Sequence, residues 1–420
     1  MNVVVVGGGL AGLVCARRLA SEGADVTLFE QEPEVGGRVR STREDGYTFD
    51  RGFQVLFTEY PAAKRELDYD ALDLRYFTPG ACLARPGERS VLSDPLRDPG
   101  AALESALNRE ISLGDKLRTL VLRRQLSTVD PEELFSGGDQ SIRAALLERN
   151  FSEKFIENFA APFYGGITLD RSLSSSAATF AYTFAMLSRG EIAVPAAGMG
   201  AIPDQLVDAA RAAGATIETD REVEVVDGDN VSVDGESITA DAVVVAADPK
   251  RARELTGVES IPTEAQGCVT QWYSLGAELD AGKRLLLDAA GEDGAPNQIV
   301  PHTAVAPEYA PDGETLLSAT FLGEPSDSDS ELTERTRRTL SAWYPERAFD
   351  SLTALHTDRV PFSQFVQPPG FYTTLPDVRA PEGSVYLAGD HTQWSSIQGA
   401  MKSGRVASEA VLEDSTSQSV

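Results

Sequence analysis

Residues 2–30 read NVVVVGGGLAGLVCARRLASEGADVTLFE, and this stretch decides the fold. Its opening, Asn2 to Val6, is a β-branched run without alternation, as expected of a parallel strand buried on both faces. It enters Gly7-Gly8-Gly9-Leu10-Ala11-Gly12, which satisfies G-x-G-x-x-G. Leu10, Leu13, Val14 and Leu19 then follow helical spacing until Gly23, a C-cap signal. A second strand, ADVTLFE, ends on Glu30, 18 residues past Gly12. Gly7 permits the tight turn, Gly9 lets backbone touch a pyrophosphate, and Gly12 lets helix and strand pack closely. The helix N-terminus then faces phosphate, and Glu30 can accept hydrogen bonds from ribose hydroxyls. An isolated glycine signature would carry little weight. Here strand, loop, helix, strand and acid occur in order.

The chain has 420 residues, which makes two domains the default expectation, and 42% apolar content is enough for large cores. Asp and Glu number 65 against 37 Lys and Arg, a net charge of −28. The acids are spread along the chain and lysine is scarce, the surface expected of a protein from a salt-loving organism. In molar salt the Debye length is about 3 Å, so self-repulsion is screened. Nucleic acid is excluded as a partner by like charge and the lack of a basic stripe. Cys15, Cys82 and Cys268 are scattered, as are His302, His356 and His391, so neither a disulfide framework nor a metal site is expected. No apolar run reaches the ~18–20 residues of a membrane span. A soluble, cytoplasmic protein is expected.

The residues after Glu30 separate the dinucleotides. PEVGGRVRS brings Gly36-Gly37-Arg38 close behind the acid, followed by YTFDRGFQVLF. This arrangement resembles the FAD enzymes of the phytoene desaturase, protoporphyrinogen oxidase and flavin amine oxidase superfamily. The resemblance implies FAD as cofactor, with Arg38 beside its pyrophosphate. Arg40 would add a second local cation in a strongly acidic protein.

The remainder follows the same order. Residues 76–126 turn irregular and then helical, and SIRAALLERNFSEKFIENFAAPFYGGITLD reads as two more helices, fitting an inserted substrate domain. From Gly198 and Gly200 a helix runs to Gly214, followed by a strand, a hairpin around Asp227–Asn230 and Asp234–Gly235, and the buried strand AVVVAADP. In the family the Val223 position meets adenine through its backbone, and the Ala246 position lies where backbone passes the cofactor. Residues 263–369 alternate as in a mostly antiparallel sheet. The expected fold is therefore α/β: a discontinuous Rossmann-like FAD-binding domain (1–75, 190–262 and 370–420) with an inserted α+β substrate domain of mixed sheet plus helices (76–189 and 263–369).

The chain closes with SVYLAGDHTQWSSIQGAMKSGRVASEAV. Gly399, Ala400, Ser403 and Gly404 leave one helix face without bulk, so a close neighbour is expected there. The resemblance makes that neighbour the flavin, with Asp390 on the ribityl hydroxyls and the backbone of Ser396 to Gln398 at the N1/C2 edge. A helix N-terminus stabilises a nearby anion by about 0.3–2 kcal/mol, which favours an anionic reduced flavin. The residues so implied as cofactor-binding are Gly7, Gly9, Ala11, Gly12, Glu30, Gln31, Gly37, Arg38, Val223, Ala246, Gly389, Asp390, Ile397 and Gln398. No catalytic residue is named; Trp394, His391 and Gln393 read as cavity or core residues.

A single dinucleotide signature without CxxC argues against a disulfide-reductase-like enzyme. The resemblance implies hydride transfer from a substrate to FAD, with DRGFQVL and AADP pointing to the branches that act on large hydrophobic molecules, isoprenoid- or tetrapyrrole-like. Amine oxidation remains an alternative, although Ser396 stands where amine oxidases place an aromatic residue. A flavin-dependent isomerase is another. So is an escort-type binding protein, although such proteins have lost flavin motifs that are all present here. A small hydrophobic substrate, with peripheral membrane contact left open, completes the expectation; the motifs do not specify an electron acceptor.

Overall fold

The computed structural model describes residues 1–94 and 97–418. Strand β1 (Asn2–Val6), helix α1 (Leu10–Ser21) and strand β2 (Asp25–Phe29) form the expected unit. β1 lies at the centre of a five-stranded parallel sheet, in the order Thr216–Glu218, β2, β1, Ala242–Val245, Val385–Leu387. The unbroken apolar run is explained by burial on both faces. Val3 and Val5 join the core beneath α1, helix Ala201–Ala212 and the C-terminal helix Ile397–Gln418. Val4 and Val6 face the antiparallel meander Val223–Asp227, Asn230–Val233, Glu236–Thr239 and helix Pro249–Thr256.

A second sheet has seven strands, in the order Thr353–Phe365, Ala265–Leu275, Thr315–Leu322, Gln298–Pro301, Leu286–Asp288, Ala81–Arg85, Glu88–Leu92. It is antiparallel except where Leu286–Asp288 runs parallel to Ala81–Arg85. Helix Asp329–Trp343 covers one face through Leu332, Leu340 and Trp343. Helices Leu113–Leu126, Ile142–Glu148, Ala161–Thr168 and Ala177–Arg189 belong to the helical block expected from the sequence.

Two stretches differ from expectation. Ala81–Arg85 and Glu88–Leu92 form a hairpin within the block read as irregular then helical, because their apolar residues fill the edge of the large sheet. Asp329–Trp343 is a helix inside the stretch read as sheet, and the Ser328/Glu331 capping box starts it. Pro95 and Leu96 of the expected helical block, and Ser419 and Val420 at the end of the expected cofactor domain, lie outside the described residues.

The two chain ends meet, but not as the small residues suggested. A Cβ on Gly404 would overlap the carbonyl oxygen of Ala11, and one on Gly399 would overlap the carbonyl of Trp394. The bare face of the C-terminal helix is therefore filled by α1 and by its own lead-in loop, which corrects the expectation that the cofactor fills it. Buried Glu66 fastens the same junction, pairing with Arg17 of α1 and with Arg405 of the C-terminal helix at 2.5 Å. Among the described residues no helix is long and apolar enough to cross a membrane.

Candidate active site

A cavity of about 650 Å³ runs from the carboxyl ends of the parallel strands to the seven-stranded sheet. At one end stands the N-terminus of α1. Its N-cap is Gly9 at φ −73°, with no side-chain cap and no acid in the first turn. The three signature glycines have different neighbours. Gly7 has φ +106°, and a Cβ there would lie 2.8 Å from the Ala246 carbonyl oxygen. A Cβ on Gly12 would overlap the Gly7 carbonyl, so Gly12 is a packing glycine; it does not line the cavity. At Gly9 a Cβ would meet no atom of the described residues within 4 Å. The bare backbone at Gly9 faces the cavity, which fits a diphosphate drawn close to amides at a positive helix end.

Glu30 sits at the tip of β2 with its carboxylate held by two amides. Gly8 N–H donates to Oε2 at 2.6 Å and Glu32 N–H to Oε1 at 2.9 Å. A carboxylate offers about four acceptor positions, so this one retains capacity for ribose hydroxyls. Gln31 beside it is exposed on the cavity rim. Val223 and Ala246 line the same end; Ala246 N–H donates to Val6 carbonyl at 2.7 Å, fixing the strand end against the glycine loop.

The guanidinium of Arg38 is largely committed. It pairs with Asp390 at 2.6 Å and donates to the Ser363 carbonyl at 3.1 Å. Asp390 is buried and also accepts from Ser395 Oγ at 2.7 Å. Burial alone would raise its carboxyl, but Arg38 outweighs that and holds it below the ordinary range. Arg40 lines the cavity and has no hydrogen bond or ion pair from its side chain among the described residues. Arg51 lies nearby, its pKa lowered by burial and by Arg40. Arg51 donates to the Gly37 carbonyl at 3.5 Å, and among the described residues neither Arg40 nor Arg51 is ion-paired with a carboxylate, so both bring positive charge to the cavity wall.

At the far end of the cofactor path Gly389, with φ +145°, passes its N–H to Ser403 Oγ at 2.8 Å. Ser395, Ser396 and Ile397 line the cavity. Ser396 Oγ caps the C-terminal helix by accepting from Gly399 N–H at 2.8 Å. Among the described residues nothing accepts from the amides of Ile397 and Gln398. The Gln398 side chain points away from the cavity and accepts from Ala62 N–H at 2.7 Å, so only its backbone remains a candidate contact. His391 is fully buried outside the cavity, neutral because burial lowers its pKa to about 4.

Beyond this end the wall changes character. Phe53, Tyr60, Phe163, Ile167, Leu285, Leu287, Phe362 and Trp394 line it. The lining contributed by residues 162–183, 268–298 and 360–367 contains one titratable group, the Cys268 thiol, whose pKa burial raises. Polar contacts there are neutral: Thr179, Thr183, Gln298, Gln364 and Gln367. Thr179 Oγ1 and, on the cofactor side, Gln54 Oε1 are buried without a partner among the described residues. Sequence reading missed Arg51, Gln54, Tyr60, Thr179 and Gln298. Arg51 and Gln54 stand inside the DRGFQVL segment, where a signal existed; the others come from separate elements that only the fold brings together.

The cavity fits a flavin dinucleotide: a bare helix end for the diphosphate, an oriented acid for ribose, two arginines without a carboxylate partner among the described residues, and a second helix end with open amides. Residues 10–412 match the flavin containing amine oxidoreductase family. A 4,4'-diapophytoene desaturase from Staphylococcus aureus is 48% identical over 56 residues, which is 13% of this chain and 11% of the desaturase. A chain from Exiguobacterium, provisionally named protoporphyrinogen oxidase, superposes with TM-score 0.75 at 16% identity, over 98% of this chain and 99% of that one. Putrescine oxidase bound to putrescine superposes with TM-score 0.71, also at 16% identity, over 98% and 99% of the two chains. At such identities the superpositions establish a shared fold. The chain belongs to the flavin containing amine oxidoreductase family and is an FAD-dependent oxidoreductase.

Proposed function

We propose that this oxidoreductase takes a hydride from an apolar, uncharged substrate of isoprenoid- or tetrapyrrole-like character. The observation that carries this reading is the wall opposite the cofactor end: aromatic and aliphatic surface, neutral amides and hydroxyls, and no carboxylate to receive an ammonium. Bound FAD supplies the hydride acceptor and passes the electrons on. The chain contributes binding, orientation and exclusion of water. In this reading Gly7, Gly9, Ala11, Arg40 and Arg51 hold the diphosphate, Glu30 and Gln31 the ribose, and Val223 and Ala246 the adenine side. Gly37, Arg38, Gly389, Asp390, Ile397 and the Gln398 backbone hold the flavin side, and Gly12 keeps α1 seated. Phe163, Ile167 and Leu287 enclose the substrate, while Thr179 and Gln298 orient its neutral polar groups.

The division of the chain into cofactor segments 1–75, 190–262 and 370–420 and substrate segments 76–189 and 263–369 goes with this reading. So do a cytoplasmic location, work in high salt and delivery of the substrate from a membrane surface. The test is anaerobic bleaching of the FAD-loaded protein by a panel of polyenes, tetrapyrroles and amines. Bleaching by apolar members supports the reading. Bleaching by amines alone would replace it with amine oxidation. Flavin that dithionite reduces but no panel member bleaches would favour an isomerase.

A further inference from the structure

Large apolar side chains are rarely exposed in this protein, and those that are cluster. Among the described residues nine are exposed, and five lie within residues 103–121: Leu103, Leu113, Leu117, Leu120 and Val121. Four of these sit on helix Leu113–Leu126. At 100° per residue Leu113, Leu117, Leu120 and Val121 share one face, which ends at exposed Arg124. The opposite face is buried through Asp115, Leu122 and Leu126. It packs on helix Ala177–Arg189, whose Arg189 donates to the carbonyls of Leu126 at 2.8 Å and Val129 at 2.6 Å. That second helix lines the cavity with Thr179 and Thr183. The exposed apolar stripe therefore lies one helix away from the substrate end of the cavity.

Charge singles out the same surface. The whole chain carries 65 acids against 37 bases. Residues 109–126 reverse that ratio, with Arg109, Lys116, Arg118, Arg123 and Arg124 against Glu110 and Asp115. Both acids are buried, so no carboxylate is exposed in this span. Asp115 caps its own helix and Glu110 pairs with Arg85 at 2.8 Å. Arg123 pairs with Asp94, and Arg118 lies 3.7 Å from Asp115. Arg109 and Arg124 are exposed, and neither side chain has an ion pair among the described residues. An apolar stripe about 12 Å long, on a helix of about 21 Å and flanked by cations, is the pattern of a helix that lies in a lipid interface.

We propose that the exposed face of helix Leu113–Leu126, together with Leu103, docks on an anionic lipid surface. The apolar stripe enters the acyl boundary while Arg109 and Arg124 meet the head groups; the Lys116 ammonium is held by the carbonyls of Ala106 and Asn108. A second copy of the chain is a poorer occupant, because a self-complementary contact sets these cations against one another. The proposal rests on the apolar-substrate reading for its purpose, since a lipid-soluble substrate would arrive from that side. The docking itself does not depend on it.

The test is co-sedimentation of the FAD-loaded protein with vesicles of phosphatidylcholine alone or mixed with phosphatidylglycerol, at low and at molar salt. The protein is expected to bind the mixed vesicles more tightly at low salt. The triple variant Leu113→Ser, Leu117→Ser, Val121→Ser should bind roughly tenfold or more weakly, from the apolar groups removed. Its FAD content and melting temperature should match the parent, because these side chains are already in water. Arg109→Gln with Arg124→Gln should remove the preference for phosphatidylglycerol. Failure of the parent to bind either vesicle, or unchanged binding by the triple variant, would overturn the proposal. So would a solution dimer that the triple variant converts to monomer, which would make the face a contact between copies. Vesicle binding without bleaching by any apolar compound would leave the surface standing and overturn the functional reading instead.

Discussion

Replacing Gly9 with alanine should separate cofactor binding from folding. The residue has φ −73°, which alanine adopts without strain, and the added methyl would meet no atom of the described residues within 4 Å. An alanine N-cap is slightly worse than glycine, and the loss of unfolded-chain entropy partly offsets this, so the apoprotein should change by about 1 kcal/mol or less. The methyl would instead occupy the space where a diphosphate must approach the α1 amides. Loss of two charge-assisted backbone hydrogen bonds, at about 1.5–3 kcal/mol each, would weaken FAD by about 3–6 kcal/mol, roughly 10²–10⁴-fold. The assay is titration of stripped protein with FAD, followed by flavin fluorescence, beside thermal melts of both apoproteins. Gly12→Ala is the contrast: its methyl overlaps the Gly7 carbonyl, so the fold and FAD binding should fail together. FAD affinity in Gly9→Ala within threefold of the parent would refute the placement of the diphosphate.

Gly404→Ala should lower the melting temperature by several degrees and weaken FAD, because its methyl drives the C-terminal helix off Ala11 at about 1–3 kcal/mol; an unchanged melt would show that the helices are not in contact there. Arg38→Gln leaves the buried Asp390 carboxylate without its cation, a loss of about 3–5 kcal/mol. In the parent, Asp390 lies below its ordinary pKa, so its contribution is present above the unfolded value and lost as pH falls through the folded one. In the variant burial is no longer offset by Arg38 and is opposed by the Ser395 bond, so the carboxyl rises and pH-dependent melts should show acidification helping the variant relative to the parent. Asp50 is raised from 3.8 to about 6 by burial, which outweighs its bonds from Ser41, Tyr309 and Met199. A raised carboxyl adds stability as pH falls from about 6 to about 4, by about 3 kcal/mol at most; Asp50→Asn should lack this rise, and parallel pH profiles for the two proteins would contradict the assignment.

Much of the cofactor half was legible because its chemistry is local. One strand, three glycines, a helix and an acid are contiguous in residues 2–30, and each has a separate physical job. The C-terminal helix was located correctly, yet its bare face was given the wrong neighbour. Small residues signal close approach without saying what approaches, and α1 rather than a ligand covers Gly404. The helix at Asp329–Trp343 was missed despite Ser328 and Glu331 standing at capping-box spacing, because the flanking strands set the reading. The hairpin Ala81–Arg85 and Glu88–Leu92 gave a weaker signal: its inner strand is buried and does not alternate. The substrate end could not be read, since Phe163, Thr179 and Gln298 come from three separate elements and Tyr60 from the turn before helix Pro61–Glu66, and they meet only after folding.

The most direct test of the central claim is a crystal structure of the protein with FAD bound. It should show the diphosphate over Gly9 and the start of α1, ribose on Glu30, and the flavin edge at the amides of Ile397 and Gln398. The apolar chamber should open on the side of the ring that faces Phe163 and Leu287. A flavin bound elsewhere, or a diphosphate away from α1 with Arg40 and Arg51 uninvolved, would contradict the account.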